Sequence, residues 1–529
     1  MCSGYRHASA LRRFHFWTRI DRRNRELDMT APLALNEGFH ATPVIDFQVI
    51  IAPTEPPAPP SYEISTVDGV WLARDPRLPL VDLRDRDGRQ IGLLVGFVYS
   101  EFRDRFLSPG IETLPVSVQN EADLETLVLP RLSGMYLLIT SGTLSKRVYP
   151  DHAGSLSLVY SARDGRAASS PSLLLNRSDY ESRFRPDLHR DLVVREGSGG
   201  WISGTLTAHR DVYRLLPNHF LDLVTWTSHR YWPREGDFAT WRDKSSAAES
   251  AARALTAFSN AGCDAFRVAA TLTAGFDSRL LVASCHERLE TCQFFTIETE
   301  AKIDVEMSQV IAKRFGLSHQ IVPLRMANAD QMAVWDRVVG DCMIEAPRMT
   351  HPTLGDLTEA DAVYTGMYGE VGRCRLYRQD LAVINQAKID ARFVIDRLTL
   401  PPHPELVENI GVWLQGLAGQ PNSVILDLAF HELKFGVWAM GQRPMTNSIK
   451  LNLLPIAQRK VLDAFIGVEP TEKGTEALFS AIIDRLWPDL MQVPINKFGD
   501  FRDYLVIWEK ISNPNRVRRF LRDRLARKS

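Results

Sequence analysis

The chain has 529 residues, well above the roughly 100–200 residues of a typical domain, so we expect two or more domains. It is 45% hydrophobic and 24% charged, a balance that is typical of folded globular proteins and excludes wholesale disorder. The 63 Lys and Arg residues nearly cancel the 64 Asp and Glu residues, which disfavours a nucleic-acid-binding role. Because no apolar run approaches the roughly 18–20 residues that cross a bilayer, the sequence predicts no membrane span.

Residues 1–43 have the composition of a basic, disordered arm. They carry seven arginines between Arg6 and Arg25 but no apolar stretch, so they do not form a secretory signal. The six cysteines of the chain include no Cys-x-x-Cys pair, and we therefore expect neither a disulfide framework nor a zinc knuckle. Cys285 and Cys292 lie in apolar contexts and are interpreted as core residues. Together these features predict a reducing, cytoplasmic location.

Residues 44–232 are predicted to form an antiparallel, β-rich domain. Turn-forming pairs such as Asp87-Gly88 and Asp164-Gly165 separate short β-branched and aromatic segments, which is the pattern of a sheet with tight connections. We predict strands at 44–52, 69–73, 91–99, 134–140, 155–161, 201–208 and 219–226.

Residues 233–246 are polar and are predicted to be a linker, after which helix and strand patterns alternate. Helices are predicted at 247–261, 279–290 and 305–315, with strands at 265–272, 291–297 and 319–323. Strand–helix–strand units of this length favour a parallel sheet with right-handed crossovers. The segment 424–527 is predicted to be mainly helical, which completes a second domain over residues 247–529.

The segment 270–279 joins a predicted strand directly to a predicted helix. Such a junction offers free backbone N–H groups and the positive end of the helix dipole, which together bind anions. Gly275 allows phosphate oxygens to approach the backbone, and the hydroxyls of Thr273 and Ser278 are further donors. Asp277 tolerates a neighbouring phosphate only if a cation lies between them, so the segment also predicts Mg²⁺.

Residues 273–278, with the sequence TAGFDS, resemble the SGGxDS pyrophosphate loop of ATP pyrophosphatases of the asparagine synthetase type. Thr replaces Ser and Ala replaces Gly, both mild changes for an anion-binding loop. Other segments follow the family in the same order along the chain: 294–297 resembles its second strand, 364–373 its second loop, and 493–497 the region of its C-terminal lysine. The resemblance covers roughly residues 45–500.

The first half of the chain resembles the glutamine amidotransferase domain that precedes these synthetases, which implies an Ntn-hydrolase-like fold. The residues that carry this resemblance lie at 134–138, 151–160, 168–171 and 216–219. Glutamine-using members attack the glutamine amide with a cysteine that is exposed by removal of the initiator methionine.

Two departures from the family indicate a glutaminase fold without its chemistry. Cys2 precedes a basic arm, and the candidate first strand at 46–52 has no cysteine. Val95-Gly96 stands where the family carries an Asn-Gly oxyanion pair. We therefore interpret Cys2 as a coincidence, while a start of translation at Met1 or at Met29 stays open.

By the same resemblance, Asp277 and Glu370 would bind Mg²⁺, and Lys497 would stabilise charge on the adenylate and pyrophosphate. Relatives place a glutamate or tyrosine base where this chain has Met367, so Tyr368 is one candidate base and the choice stays open. The residues expected to contact ATP or pyrophosphate are Leu272, Thr273, Ala274, Gly275, Phe276, Asp277, Ser278, Arg279, Thr296, Thr365 and Gly366.

The resemblance implies an ATP-dependent ligase in which a substrate carboxylate attacks the α-phosphorus, pyrophosphate leaves, and an amine captures the acyl-adenylate. Without internal ammonia we favour a substrate that carries its own amine, as in β-lactam synthetases and lasso-peptide cyclases. The favoured function is a macrolactam-forming peptide cyclase, with a precursor peptide and a companion protease as partners. Asparagine synthase is the alternative, and a non-catalytic scaffold is the second alternative.

Overall fold

The computed structural model describes residues 46–299, 302–344 and 346–503. The predicted basic arm, Cys2, Met29 and the end of the predicted C-terminal helical region lie outside the described residues. Within the described part of the chain, no helix has both the length and the apolar composition that a membrane crossing requires.

Two largely antiparallel sheets form the first part of the chain, as predicted. Their strands are β1 (Val49–Ala52), β2 (Glu63–Val67), β3 (Val70–Arg74), β4 (Leu80–Arg84), β5 (Gln90–Ser100), β6 (Arg105–Phe106), β7 (Gly110–Thr113), β8 (Leu132–Thr140), β9 (Arg147–Pro150), β10 (Val159–Ser161), β11 (Arg166–Ala168), β12 (Tyr213–Arg214), β13 (His219–Asp222) and β14 (Thr227–Arg230). One sheet has the order β12-β10-β11-β1-β3-β2, and the other has the order β14-β13-β9-β8-β5-β4-β7, with β6 on β5.

Short helices connect these strands, and the helix at Pro171–Leu174 packs on β10 and β11 of the first sheet. They are α1 (Glu121–Asp123), α2 (Pro171–Leu174), α3 (Arg177–Arg183) and α4 (Pro186–His189), with π- or 3₁₀-helical turns at Leu124–Val128, Leu129–Arg131 and Arg190–Val194. The side chains of β1 are buried on both faces of the sheet, because successive side chains of a strand point to opposite faces. Val49 and Ile51 belong to the main core, whereas Ile50 packs in a second cluster with Leu174 and Tyr180.

The strand predicted at 201–208 is wrong. The segment makes only isolated bridges, from Trp201 and Leu206. Gly204 adopts a left-handed φ of +70°, and a Cβ there would lie 2.1 Å from Asn409 Oδ1. The Ser203 hydroxyl donates to the Leu433 carbonyl at 2.8 Å. The segment is therefore a loop. It contacts β12 through the Leu206 bridge and the bond from the Arg214 N–H to the Thr205 carbonyl, whereas the Ser203 hydroxyl bonds to the helical part of the chain.

The second part contains a five-stranded, fully parallel sheet, as the alternating pattern predicts. Its strands are β15 (Val268–Thr271), β16 (Gln293–Ile297), β17 (His319–Val322), β18 (Ala362–Tyr364) and β19 (Leu451–Leu453), in the order β17-β16-β15-β18-β19. The order of the strands reverses between β15 and β18. In open α/β sheets, ligands bind in the crevice at the carboxyl ends of the strands beside such a reversal.

Helices surround this sheet and form the C-terminal region. They are α5 (Lys244–Ala265), α6 (Phe276–Ser284), α7 (Lys302–Phe315), α8 (Ala329–Val338), α9 (Ala346–Thr350), α10 (Ala391–Arg397), α11 (Pro404–Gln415), α12 (Asn422–Leu428), α13 (Arg443–Ile449), α14 (Arg459–Gly467), α15 (Pro470–Gly474) and α16 (Ala477–Leu486). A π-helix spans Ala429–Ala439, and 3₁₀ turns lie at His286–Arg288, His351–Asp356, Gly369–Arg373, Ile384–Gln386, Pro455–Ala457 and Pro488–Gln492.

A buried polar cluster centred on Glu432 joins the two parts of the chain. Arg230 from β14 donates to both Glu432 oxygens, at 2.7 and 2.6 Å. Trp413 Nε1 and Asn218 Nδ2 donate to the same carboxylate at 2.7 and 2.8 Å. Burial by itself would raise the pKa of Glu432, but the charge and hydrogen bonds of Arg230 outweigh it and lower this pKa to about 2.

Replacing Glu432 with Gln is expected to lower the free energy of unfolding by roughly 3–5 kcal/mol, because the Arg230 charge would stay buried without a partner. The measurement is urea unfolding of the two proteins. Glu101→Gln is the matched control, since Glu101 also pairs across the two parts, with Lys460, but is 37% exposed. We expect the control to cost less than about 1 kcal/mol. Equal costs for the two variants would contradict the importance of the buried cluster.

Acid should weaken the same contact. The folded-state pKa of Glu432 lies below the usual 4.5, so its contribution to stability is complete above pH 4.5 and is lost as the pH falls towards 2.

Candidate functional site

The loop between β15 and α6 is shaped by its own hydroxyl groups. Ser278 Oγ accepts from the Thr273 N–H at 3.0 Å and lies 2.8 Å from Thr273 Oγ1. The Gly275 N–H donates to Thr273 Oγ1 at 3.2 Å. The sequence predicts both hydroxyls as hydrogen-bond donors to phosphate. In the structure they bond within the loop and so hold the turn that precedes α6.

One loop amide is already bonded to a carboxylate. The Ala274 N–H donates to Asp304 Oδ1 at 3.0 Å, from the first turn of α7. Phe276 anchors the other side of the loop, where its ring packs edge-to-face on Phe479 with centroids 6.2 Å apart. The loop therefore presents at least one N–H group to a negatively charged oxygen.

Leu272 and Thr296 lie at the ends of the neighbouring strands β15 and β16. The Leu272 N–H donates to the Phe295 carbonyl at 2.8 Å, and the Thr296 hydroxyl donates to the Leu272 carbonyl at 2.6 Å. The ring of His319 lies 2.9 Å from the same hydroxyl. These contacts place both residues at the carboxyl edge of the sheet, although the Thr296 side chain is buried and bonded within the protein.

Asp277 combines a paired oxygen with an unpaired one. Its Oδ2 accepts from the Arg373 guanidinium at 2.5 Å, while its buried Oδ1 has no hydrogen-bond partner among the described residues. Burial raises the pKa of Asp277 to about 7, and the negative charges of Glu370 and Glu476 add to this against the opposing effect of Arg373. The site is thus short of positive charge whenever Asp277 is ionised.

The second loop packs directly on Asp277 from the end of β18. A Cβ at Gly369 would lie 2.1 Å from Asp277 Oδ1, and one at Gly366 would lie 3.0 Å from Asp277 Cβ. Thr365 Oγ1 is buried and has no hydrogen-bond partner among the described residues. The two loops therefore meet at the reversal of strand order, and each carries one buried, unpaired oxygen, Asp277 Oδ1 and Thr365 Oγ1.

These residues fit a Mg²⁺ ion, which takes oxygen ligands and is usually held by one or two carboxylates together with water and substrate phosphates. The Glu370 carboxylate is 35% exposed and lies 3.5 Å from Arg375 Nε. Its negative charge raises the pKa of Asp277, so the two carboxylates are near each other. Glu476 is a third carboxylate of the site and also bonds to Arg378 at 3.0 Å. Sequence reasoning missed Glu476, because it lies in a helical region without a motif, at a left-handed φ of 62°.

The position of Arg279 argues against the predicted phosphate contact, because backbone carbonyls occupy its guanidinium. Its fully buried guanidinium donates to three carbonyls of one C-terminal segment: Leu490 at 2.9 Å, Val493 at 2.5 Å and Pro494 at 2.6 Å. Among the described residues no carboxylate pairs with it. Arg279 therefore ties the C-terminal segment to the helix that begins at the first loop.

The same C-terminal segment carries Lys497 to the first loop. The Asn496 N–H donates to the Ala274 carbonyl at 2.9 Å, and Asn496 Oδ1 would lie 3.4 Å from a Cβ at Gly275. Lys497 follows as an exposed residue, and its ammonium group forms no ion pair with the described residues. The structure thus brings together the two predicted elements that are separated by more than 200 residues.

The surroundings of Tyr368 argue against it as the candidate base. Its side chain is fully buried between His431 and Phe435, and its hydroxyl donates to the Ala153 carbonyl at 3.1 Å. Burial raises the pKa of this phenol well above its usual value, so it retains its proton. Tyr368 joins the second loop to the first part of the chain, and no base is assigned.

The predicted oxyanion position in the first part of the chain offers no side-chain donor. Val95 is fully buried, and the Gly96 N–H donates to the Pro79 carbonyl at 2.9 Å. No cysteine lies between residues 46 and 262. Within these described strands, therefore, neither the nucleophile nor the amide donor of a glutaminase is present.

Comparisons with known proteins leave the family open. No protein-family model and no curated protein matches the chain. Among solved structures, the chain is similar to the U34-tRNA thiolase NcsA from Methanococcus maripaludis, which was solved with its [4Fe-4S] cluster. The identity is 12%, the match covers 48% of this chain and 83% of that chain, and the TM-score is 0.16. At this TM-score the similarity supports no conclusion about fold or function.

Proposed function

We propose that the protein is an ATP-dependent ligase that adenylates a substrate carboxylate and joins it to an amine. One observation carries the proposal: the two loops of the site meet where the strand order reverses, around the unpaired Oδ1 of Asp277. Nucleotides bind at this position of open α/β sheets, and the first loop leads into a helix N-terminus, which favours phosphate. The family resemblance of residues 273–278 supplies the reaction type.

Each group of the site has a distinct task in this proposal. Backbone amides of the first loop would bind the phosphates, and the Asp304 carboxylate would give up the Ala274 N–H to a phosphate oxygen. Asp277 and Glu370 would hold Mg²⁺, which when bound neutralises charge on the phosphate oxygens. Lys497 would place its ammonium group at the negative charge that develops as pyrophosphate leaves. Arg279 is a positioning residue, since it acts through the backbone of the segment that carries Lys497.

We further propose that the substrate supplies its own amine and that the reaction closes a macrolactam in a peptide. The support is the absence of a cysteine nucleophile from residues 46–262, so that ammonia does not arise from glutamine within this part of the protein. A precursor peptide with an internal Asp or Glu and a free N-terminal amine is the expected substrate. A companion protease would then expose that amine.

The test is a set of parallel incubations of the full chain with Mg·ATP, followed by assays for AMP and pyrophosphate. The substrates are aspartate with glutamine, aspartate with ammonia, and peptides with a free amine and an internal acidic residue. AMP together with a peptide that has lost one water supports the cyclase. Asparagine from ammonia alone would establish the asparagine synthase alternative, and asparagine from glutamine would overturn the interpretation of the first half.

A protein that neither binds Mg·ATP in calorimetry nor releases AMP with any of these substrates would contradict the ligase. That result would favour the non-catalytic scaffold instead.

A further inference from the structure

Three cysteines that are separate in the sequence meet in the interior of the second part. Cys263 lies in the last turn of α5, Cys285 follows the last residue of α6, and Cys292 precedes β16 by one residue. Their Sγ atoms all lie within 4.8 Å of one another. The three side chains are buried, with residue exposures of 9%, 0% and 1%.

The cluster is distinct from the nucleotide site. In a β–α–β unit the helix returns the chain from the carboxyl edge of the sheet to its amino edge. Cys285 at the end of α6, Cys263 before β15 and Cys292 before β16 consequently lie at the amino edge. The loop of residues 272–275 and the loop that follows β18 lie at the opposite, carboxyl edge. A ligand held by the cysteines would therefore contact neither loop.

The spacing of the sulfur atoms suits three ligands of a single ion. With Zn–S bonds of about 2.3 Å, two thiolates in a tetrahedral site lie about 3.8 Å apart, so side-chain rotation alone closes the remaining distance. Thiolates that bind separate irons of a cubane cluster lie farther apart than those that share one ion. Soft thiolate ligands select Zn²⁺ and Cu⁺ over the hard cations that carboxylates prefer.

Polar groups border the cysteine cluster. The hydroxyls of Ser259 and Ser284 lie 2.8 Å apart, and Ser284 Oγ is 4.0 Å from Cys285 Sγ. Arg288 donates from Nε to Asp264, the residue after Cys263, at 3.1 Å. The Ser284 hydroxyl itself donates to the Leu281 carbonyl at 2.7 Å, so the charge of the bound ion, rather than these hydroxyls, would offset the buried thiolates. Metal binding would release the thiol protons.

We propose that Cys263, Cys285 and Cys292 bind one thiophilic metal ion, Zn²⁺ or Cu⁺, in a structural site. The ion joins the ends of α5 and α6 to the start of β16 and so fastens the central strands at the edge remote from the nucleotide. Three thiolates satisfy Cu⁺, whereas tetrahedral Zn²⁺ takes a water as its fourth ligand.

The test is the metal content of the full chain, measured by mass spectrometry after expression in medium supplemented with zinc or with copper. We expect one bound ion per chain, lost in Cys285→Ser and in Cys292→Ser. Cys342→Ser and Cys374→Ser are the matched controls, because these two buried cysteines lie outside the cluster. They should retain the ion. The supplement that fills the site distinguishes zinc from copper.

A second measurement does not depend on the folding of the variants. Titrating the parent protein with a mercurial should release the ion in step with modification of the cluster thiols, and Co²⁺ in place of the ion should show a thiolate-to-metal absorption band. A parent protein without stoichiometric metal after both supplements, iron accompanied by sulfide, or an ion retained by both cluster variants would overturn the proposal. None of these readouts depends on ligase activity.

Discussion

Replacing Asp277 with Asn is expected to reduce ATP-dependent turnover by on the order of 10³-fold in kcat/KM, the effect of losing the several kcal/mol that a bound metal ion supplies. The amide keeps the size of the side chain but cannot offer an anionic oxygen to Mg²⁺. Because burial raises the pKa of Asp277 to about 7, the ionised carboxylate is disfavoured in the folded, metal-free protein. The loss of activity should therefore come without a loss of thermal stability at pH 8.

Asp336→Asn is the matched control for this experiment. Asp336 pairs with Arg348 at 2.6 Å and is 24% exposed, close to the 25% of Asp277, but it lies on α8 and away from the two loops. Its replacement should leave kcat/KM within about twofold of the parent. Mg²⁺-dependent binding of ATP, followed by calorimetry, is the second readout. Full activity of the Asp277 variant, or unchanged Mg²⁺ dependence of its ATP binding, would rule out a metal ligand at this position.

Lys497→Met is expected to lower kcat by roughly 10²–10³-fold while the affinity for ATP changes little, because a positioned charge acts mainly on the transition state. Pre-steady-state release of pyrophosphate measures the adenylation step directly. Lys313→Met on α7 removes the ammonium group of another exposed lysine and serves as the control, with kcat unchanged. Equal losses in the two variants would show that only the general surface charge matters.

The proposed positioning role of Arg279 is tested by the same measurement of pyrophosphate release. Lysine at this position keeps the charge but cannot reach all three carbonyls, so Arg279→Lys should release the segment that carries Lys497 and lower kcat by about 10-fold or more. In a double variant with Lys497→Met, Arg279→Lys should cause almost no further loss of kcat, because both changes remove the contribution of the Lys497 ammonium group. Additive losses, or a large fall in the melting temperature of Arg279→Lys, would indicate a purely structural role instead.

The local pattern of the chain predicts the first loop well. Strand β15, the turn of residues 272–275 and helix α6 follow one another within 17 residues, from Val268 to Ser284. Their geometry depends on nearby residues, such as the hydroxyls of Thr273 and Ser278, and short-range contacts leave a readable sequence signal. The parallel sheet is predictable for the same reason, because each crossover is a local strand–helix–strand unit.

The errors concern residues whose partners are remote in the sequence. Tyr368 resembles a site residue by its position in the second loop. Its left-handed φ of 77° and its bond to Ala153, however, direct its side chain towards the first part of the chain. The segment 201–208 has the composition of a strand, but its hydrogen-bond partners are divided between β12 and residues that are remote in the sequence, such as Leu433. In both cases long-range packing overrides a local preference.

The sequence was sufficient to indicate a β-rich first half, a parallel sheet in the second half and the strand–loop–helix junction that carries Asp277, because adjacent residues encode these features. The folded chain alone shows that Asp277 meets Arg373 and Glu476, and that Arg279 fastens the segment of Lys497. It alone assembles Cys263, Cys285 and Cys292, whose spacing matches no metal motif. The physical reason is that charge balance and ligand geometry depend on distances in space. Strand order and helix crossovers set these distances, and the spacing of residues along the sequence does not record them.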